Sequence, residues 1–236
     1  MSRFAAQLVK RLPAAQRARL VRLRRPAWLF AFRGVRPLSD RYGYDRGMPI
    51  DRYYIESYLS EHRADIRGRG LEVKSATYLR RFGSDLERLD VLDVDPANAN
   101  ATVIDDLSSA DDISDQQYDC FVLTQTLHMI YDIRSAVRHA HRILKPGGVL
   151  LATMPCVARI DRGGAAFDFW RVTGAACETM FGEAFGAGNC TVRSYGNVRA
   201  ATAFLTGMAA EELGERQLCY NDPNFPVLLC VRGVRR

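Results

Sequence analysis

The chain has 236 residues, 47% of them hydrophobic and 25% charged, with a formal net charge of +6; this balance belongs to a globular protein and excludes a disordered or collagen-like one. The length supports one sizeable core, with no apolar run long enough to span a membrane and none of the uninterrupted kind that a secretory signal needs. Six cysteines stand far apart without a C-x-x-C pair or a histidine at metal-ligand spacing, so reduced thiols, a cytoplasmic setting and no metal centre are expected.

Met1 to Arg36 carries Lys and Arg but no Asp or Glu. With Leu8, Val9, Leu12, Leu20, Leu23, Trp28, Leu29 and Phe30 interleaved, it reads as a basic amphipathic helical arm. Either its basic face is solvated and its apolar face packs on the domain, or it makes weak contact with an anionic membrane surface or a protein. No aromatic-basic nucleic-acid motif accompanies the charge, and nucleic acid is not an expected partner. Pro37 to Pro49, with Gly43 and Gly47, reads as a linker. An arm with linker over residues 1–45 and a domain over 46–236 follow from this division.

Residues 51–62 place aromatic and apolar side chains at helical spacing after Pro49. From Gly70 short apolar runs alternate with longer amphipathic stretches. Strands are predicted at Leu71–Val73, from Val91 to a stop at Pro96, at Ala101–Ile104, at Tyr118–Thr124 and at Val149–Met154. A helix over Ile133–Leu144 is expected to stop at the Lys145-Pro-Gly-Gly run. Helices near Gly174–Phe185 and Val198–Leu213, with strands near Cys190–Tyr195 and Val227–Val234, complete the pattern. Alternation of this kind implies an α/β fold, a seven-stranded, mostly parallel, Rossmann-like sheet with helices on both faces. Ligands of such sheets lie beyond the carboxyl ends of the strands.

The run YDCFVLTQTLHMI from Tyr118, then LKPGGVLLAT from Leu144, then Trp170-Arg-Val-Thr, stand in a fixed order. Together they resemble class I S-adenosylmethionine-dependent methyltransferases of the small-molecule branch, in particular a bacterial subgroup with a degenerate glycine-rich motif. The resemblance covers about residues 50–236 and implies S-adenosylmethionine as cofactor and a small-molecule acceptor. The subgroup looks like enzymes that tailor polysaccharides and natural products, which implies O-methylation of a sugar or similar polar molecule.

Carried onto this chain, the resemblance makes Glu72 the acidic residue before the cofactor turn, with Ser75 and Thr77 in the turn itself. Asp95, at the end of the second strand, takes the ribose hydroxyls, with Asp93 as competitor. Asp106 takes the adenine amino group, with Asp105 as its alternative, and Leu107 supplies an apolar wall. Thr124 and Gln125 line the cofactor at the end of the fourth strand, where Gln125 is equally a helix-start residue. Tyr78 and Trp170 are read first as packing residues, with a π-face for a sulfonium as the alternative. His128, just past the fourth strand, is the candidate general base for a hydroxyl acceptor; its alternative is a histidine packed in the first turn of a helix.

One departure from the family pattern stands out in the turn after the first strand. It reads Leu71-Glu-Val-Lys-Ser-Ala-Thr-Tyr78, and the first glycine beyond it is Gly83. Either Ser75, Ala76 and Thr77 are small enough to cradle the cofactor while Lys74 points away, or the pocket serves a non-methylating enzyme or a partner subunit.

Overall fold

The computed structural model describes residues 12–30 and 35–236; the start of the basic segment, Leu8 and Val9 included, lies outside the described residues. Two compact units form: one gathers the described residues up to Tyr54 with Gly196–Val227, the other joins Ile55–Tyr195 to Leu228–Arg236. The expected boundary between residues 45 and 46 falls inside the first of these. Among the described residues, no helix is long and apolar enough to cross a membrane.

Along the chain, α1 (Ala14–Arg24) follows Pro13, α2 spans Ala27–Phe30, and α3 covers Ile50–Glu61. In the smaller unit the Arg46 guanidinium is fully buried and grips Glu212 through Nε and Nη2 at 2.8 and 2.6 Å. Nη2 also donates to the Arg25 carbonyl at 2.9 Å. A buried cation needs such partners, because its desolvation is otherwise uncompensated.

The larger unit holds one sheet made of β1 (Gly68–Val73), β2 (Leu86–Asp93), β3 (Val103–Ile104), β4 (Tyr118–Thr124), β5 (Leu144–Pro155), β6 (Cys190–Tyr195) and β7 (Leu228–Val234). Their order is β3-β2-β1-β4-β5-β7-β6. The pairs from β3 through β5 are parallel, and β7 lies antiparallel between β5 and β6. The connecting helices are α4 (Thr77–Phe82), α5 (Ile133–Arg142) and α6 (Gly174–Phe185). On one face Leu71, Phe121, Leu123, Leu150 and Val231 form a core with Val137 of α5 and Phe181 of α6. Across the sheet, Gly70 leaves room for α4: a Cβ there would come 2.8 Å from Leu79 Cδ2. The expected seven-stranded Rossmann-like sheet, covered on both faces, is therefore present.

After β6, α7 (Val198–Thr206) and α8 (Glu215–Cys219) belong to the smaller unit. Asn197 caps α7 by accepting from the amides of Arg199 and Ala200. The helix expected to run to Leu213 stops at Thr206, because Gly207 turns left-handed at φ +74° and its backbone sits against Ser39. The Lys145-Pro-Gly-Gly run also departs from expectation. α5 already ends at Arg142, and residues 144–155 are all strand. The glycines instead serve an irregularity opposite Tyr118 and Cys120: Gly147 takes φ +81°, and a Cβ on Gly148 would meet the Tyr118 carbonyl at 2.9 Å.

Candidate active site

The strand order reverses direction between β1 and β4, and in an open parallel sheet this switch point opens a crevice at the carboxyl ends of the strands. The residues after β1, β2, β3 and β4 therefore face a common edge.

At the end of β1 the Glu72 side chain is buried, and its two oxygens accept from the amides of Tyr78 and Leu79 at 3.1 and 2.9 Å. These are first-turn amides of α4, which carry the positive end of the helix dipole. Burial pushes the Glu72 carboxyl up to about 7, against the pull of those two hydrogen bonds. Lys74 is exposed and holds φ +70°, the left-handed conformation for which related turns use glycine. Its carbonyl accepts from Asn98 Nδ2 at 2.9 Å. The hydroxyls of Ser75 and Thr77 hydrogen-bond each other at 3.0 Å.

β2 ends at Asp93, so Asp95 stands two residues into the following turn rather than at the strand end. Asp95 is exposed and accepts from the amide of Ala97 at 2.9 Å. The Asp93 carboxylate accepts from Asn98 Nδ2 at 2.6 Å and from the Asp95 amide at 3.1 Å. Burial pushes its carboxyl up, but the Asn98 side chain, the Asp95 and Val94 amides and the Lys74 charge together hold it below the usual range.

Beyond β3, Asp106 spends Oδ1 on the amide and hydroxyl of Ser108, at 2.9 and 2.8 Å. Asp105 differs: its Oδ2 is buried and has no hydrogen-bond partner in the structure. A buried carboxylate oxygen left without a donor is costly. Leu107 is buried in the core beneath this edge.

At the end of β4, Thr124 pairs with Thr153 of β5, and Gln125 turns left-handed at φ +48° while its amide donates to the Thr153 carbonyl at 3.1 Å. The chain then forms a short 3-10 turn, Leu127–Met129, that carries His128. Onto this turn folds the segment after β5. The amides of Phe169 and Trp170 donate to the His128 carbonyl at 3.0 and 3.1 Å, and the Trp170 indole donates to the Ile130 carbonyl at 3.0 Å. The Asp168 side chain, 2% exposed, comes within 4.0 Å of His128 Nε2. Arg171 clamps Asp168, with Nη2 to Oδ2 at 2.9 Å, and the Asp161 amide adds a donor at 3.1 Å. This clamp holds the Asp168 carboxyl below the usual carboxylate range. Around the same turn Tyr131, Ile160, Phe167 and Phe169 are exposed, with the Tyr131 and Phe169 rings in edge contact at 5.4 Å.

The geometry thus gathers Glu72, Ser75 and Thr77 at one strand end, Asp95, Asp106 and Leu107 at the neighbouring ones, and Thr124, Gln125 and His128 beyond β4. Trp170 is tied into the fold by its indole hydrogen bond, the packing alternative. Asp105, named from the sequence as the alternative to Asp106, carries the buried unsatisfied oxygen, and Asp168 stands near His128 although the sequence does not point to it. Asp168 and Arg171 stand three apart, but in a segment without helix, where that spacing is no ion-pair signal in the sequence. Among the described residues, no group of three or more His, Cys, Asp and Glu side chains could hold a metal ion.

A sheet of this order, with an antiparallel seventh strand inserted beside the fifth, defines the fold of class I S-adenosylmethionine-dependent methyltransferases. Residues 49–186, more than half of the chain, match the family model described as "Methyltransferase domain", and the chain belongs to that family. Among solved structures it is similar to the N-methyltransferase NodS of Bradyrhizobium japonicum in complex with S-adenosyl-L-homocysteine (15% identity, 80% of this chain and 88% of that one, TM-score 0.50). It is similar also to a chain of the complex containing the Haloferax volcanii Trm112 methyltransferase activator (17% identity, 79% of this chain and 92% of that one, TM-score 0.54). No curated protein matches the chain in sequence.

Proposed function

We propose that this protein is an S-adenosylmethionine-dependent O-methyltransferase that modifies a hydroxyl of a sugar or natural-product small molecule in the cytoplasm. The observation that carries the reading is His128, set at the end of β4 beside a buried, clamped carboxylate and an exposed aromatic rim. Exposed apolar surface rimmed by polar groups is typical of a binding groove, and aromatic faces suit the C–H faces of a sugar ring or an apolar natural product.

The residues present fit the cofactor. Asp105 Oδ2 offers a buried acceptor in want of a donor, which an exocyclic adenine amino group would supply. The left-handed backbone at Lys74 keeps the turn that related chains build with glycine. Ser75, Thr77, Thr124 and Gln125 would hold the amino-acid end, and Asp95 the ribose hydroxyls. Asp106 or Asp105 would take the adenine amino group, with Leu107 behind them. Glu72 supports the turn from beneath.

When bound, the cofactor supplies a methyl group on a sulfonium, open to in-line displacement. The protein's share is to align the acceptor oxygen, exclude water and take the hydroxyl proton. His128 takes that proton, and the segment from Arg159 to Val172 closes over the acceptor's side of the turn. Calorimetry with S-adenosylmethionine and S-adenosylhomocysteine tests the cofactor, and a screen of sugar and natural-product hydroxyls for a 14-dalton gain on the order of one methyl tests the transfer. No binding heat and no thermal shift at millimolar cofactor overturn the proposal.

A further inference from the structure

Val192 and Val231 turn one face of the β6–β7 pair toward the core with Phe181 of α6, and the other face is polar. There Thr191 and Arg193 of β6 pair across the ladder with Arg232 and Cys230 of β7, so all four side chains share a face. The end of α3 brings Tyr58 and, one turn on, His62 against them, the two rings in edge contact at 4.8 Å. These six residues enclose a cavity of about 260 Å³ that lies within the larger unit. Tyr58 and Cys230 are buried and form its floor, His62 and Arg232 its walls, and the exposed Thr191 and Arg193 its rim.

The neighbouring carboxylates are engaged with the arginines and do not line the cavity. Asp65 accepts a fork from Arg232 Nε and Nη2, both at 2.8 Å. Glu61 accepts from Arg193 Nη1 at 3.0 Å and from the Tyr195 hydroxyl at 3.4 Å. Two guanidiniums are thereby held at the cavity, with Arg232 Nη1 outside the Asp65 fork. Tyr58 is 1% exposed, and its hydroxyl is buried without a hydrogen-bond partner. That hydroxyl lies in the electrostatic reach of Cys230, Tyr195, Arg232 and Asp65, and burial keeps it protonated, a donor. A buried donor left unpaired is costly unless something that enters the cavity accepts from it.

We propose that this cavity is a second binding site, which takes the oxyanion of a small molecule, a carboxylate or a phosphate. Tyr58 donates to it from the floor and Arg232 from the wall, with Thr191 and Arg193 at the entrance. A guanidinium already oriented by a carboxylate suits either anion. The volume lies below the roughly 300–1,000 Å³ of pockets for drug-sized ligands, so a small anion or the acidic end of a larger molecule fits. In the sheet, β5 stands between this β6–β7 edge and the β1–β4 crevice, and the inference is independent of cofactor binding and methyl transfer.

His62 reports occupancy. Burial holds its imidazole below the usual range; Asp65 and Glu61 pull it up, and Arg232 and Arg193 push it down. An added anion beside the ring favours the imidazolium and raises the titration midpoint. The test is proton NMR of the histidine side chains in the full chain, with His62 assigned by its loss in His62→Gln. Inorganic phosphate and, separately, acetate are the probes, at an ionic strength held constant with chloride. At least one is expected to move the His62 signal saturably and to raise its midpoint; saturation by phosphate alone assigns a phosphate group, and by acetate alone a carboxylate. Tyr58→Phe is expected to be as stable as wild type without a probe, since the hydroxyl it removes has no partner, and to bind about tenfold more weakly or worse. Arg193→Gln, at the exposed rim, is expected to weaken binding as well. The proposal is overturned if neither probe saturates, if Tyr58→Phe binds like wild type, or if it is the less stable of the two without a probe. Should Tyr58→Phe fail to fold, unchanged binding in Arg193→Gln overturns it.

Discussion

The Glu72 carboxylate accepts from the Leu79 amide at 2.9 Å, tying the end of β1 to the first turn of α4 across the very turn that lacks glycine. A carboxylate at a helix N-terminus is stabilised by the local dipole. Here it is also buried, and desolvation pushes its carboxyl up to about 7.

That balance predicts a pH signature. A carboxyl whose folded value lies above its unfolded one favours the folded state while protonated. The contribution is fully present below about pH 4.5 and is lost as pH rises through about 7, by up to about 3 kcal/mol. Other carboxyls pull the opposite way: Asp65, Asp93, Asp119 and Asp168 lie below their usual range, and their contributions fade as pH falls. The informative quantity is therefore a difference. Glu72→Gln, which cannot ionise, is expected to gain stability relative to wild type between pH 4.5 and 8 in urea titrations. A difference that stays flat over that range removes Glu72 as the titrating group.

Lys74 gives a second expectation. A non-glycine residue in the left-handed region carries about 1–2 kcal/mol of conformational strain, and Lys74 sits there at φ +70°. Its side chain is exposed, so truncation loses little packing. Lys74→Gly is expected to raise stability by about 0.5–1 kcal/mol after the entropy of glycine is allowed for. Lys74→Val, β-branched and ill suited to positive φ, is expected to lower it. Urea midpoints at constant slope provide the measurement, and a destabilised Lys74→Gly contradicts the strain argument.

Three aspartates separate the possible cofactor contacts. Asp95→Ala is expected to weaken S-adenosylhomocysteine binding by about 1.5–3 kcal/mol, the cost of lost charge-assisted hydrogen bonds. Between the two adenine candidates the structure favours Asp105, because its Oδ2 lacks a partner while Asp106 is engaged with Ser108. Asp105→Asn is expected to weaken adenine-containing ligands by about 1–2 kcal/mol, and Asp106→Asn by less. Calorimetry with S-adenosylhomocysteine distinguishes them, and the reverse ranking returns the role to Asp106.

Much of the fold was legible because its signals are local and periodic. β4 at Tyr118–Thr124, β6 at Cys190–Tyr195 and α6 at Gly174–Phe185 fall where apolar runs and helical spacing put them. Signals that depend on tertiary context were misread. The Lys145-Pro-Gly-Gly run has the chemistry of a helix stop, yet Gly147 is required by its left-handed φ and Gly148 by the close backbone of Lys145 and Tyr118. By element, the residues after each strand were expected at one edge of the sheet, and the strand order puts them there. Partnership was not legible. Asp105 and Asp106 are adjacent, and only the folded turn decides which carboxylate is occupied. Asp168 meets His128 across 40 residues, by way of a segment whose hydrogen bonds are mostly to backbone carbonyls and carry no residue-type signature.

His128 carries the last prediction, which presupposes cofactor binding and an identified acceptor. His128→Gln and His128→Asn keep a polar side chain at a site that is only slightly exposed, so fold and S-adenosylhomocysteine affinity are expected to persist. If the histidine takes the acceptor's proton, the methylation rate falls by about 10²–10⁴, the range for a lost general base. The loss should lie in kcat more than in KM, because ground-state contacts to the acceptor remain with the aromatic rim. In wild type the rate should rise with pH as the imidazole deprotonates, and that dependence should vanish in both variants. The packed-histidine alternative predicts a different pair of results: a lower melting temperature, because the turn that holds Trp170 and Phe169 loosens, and a turnover per folded molecule within about threefold of wild type, on the order of 0.6 kcal/mol in the barrier.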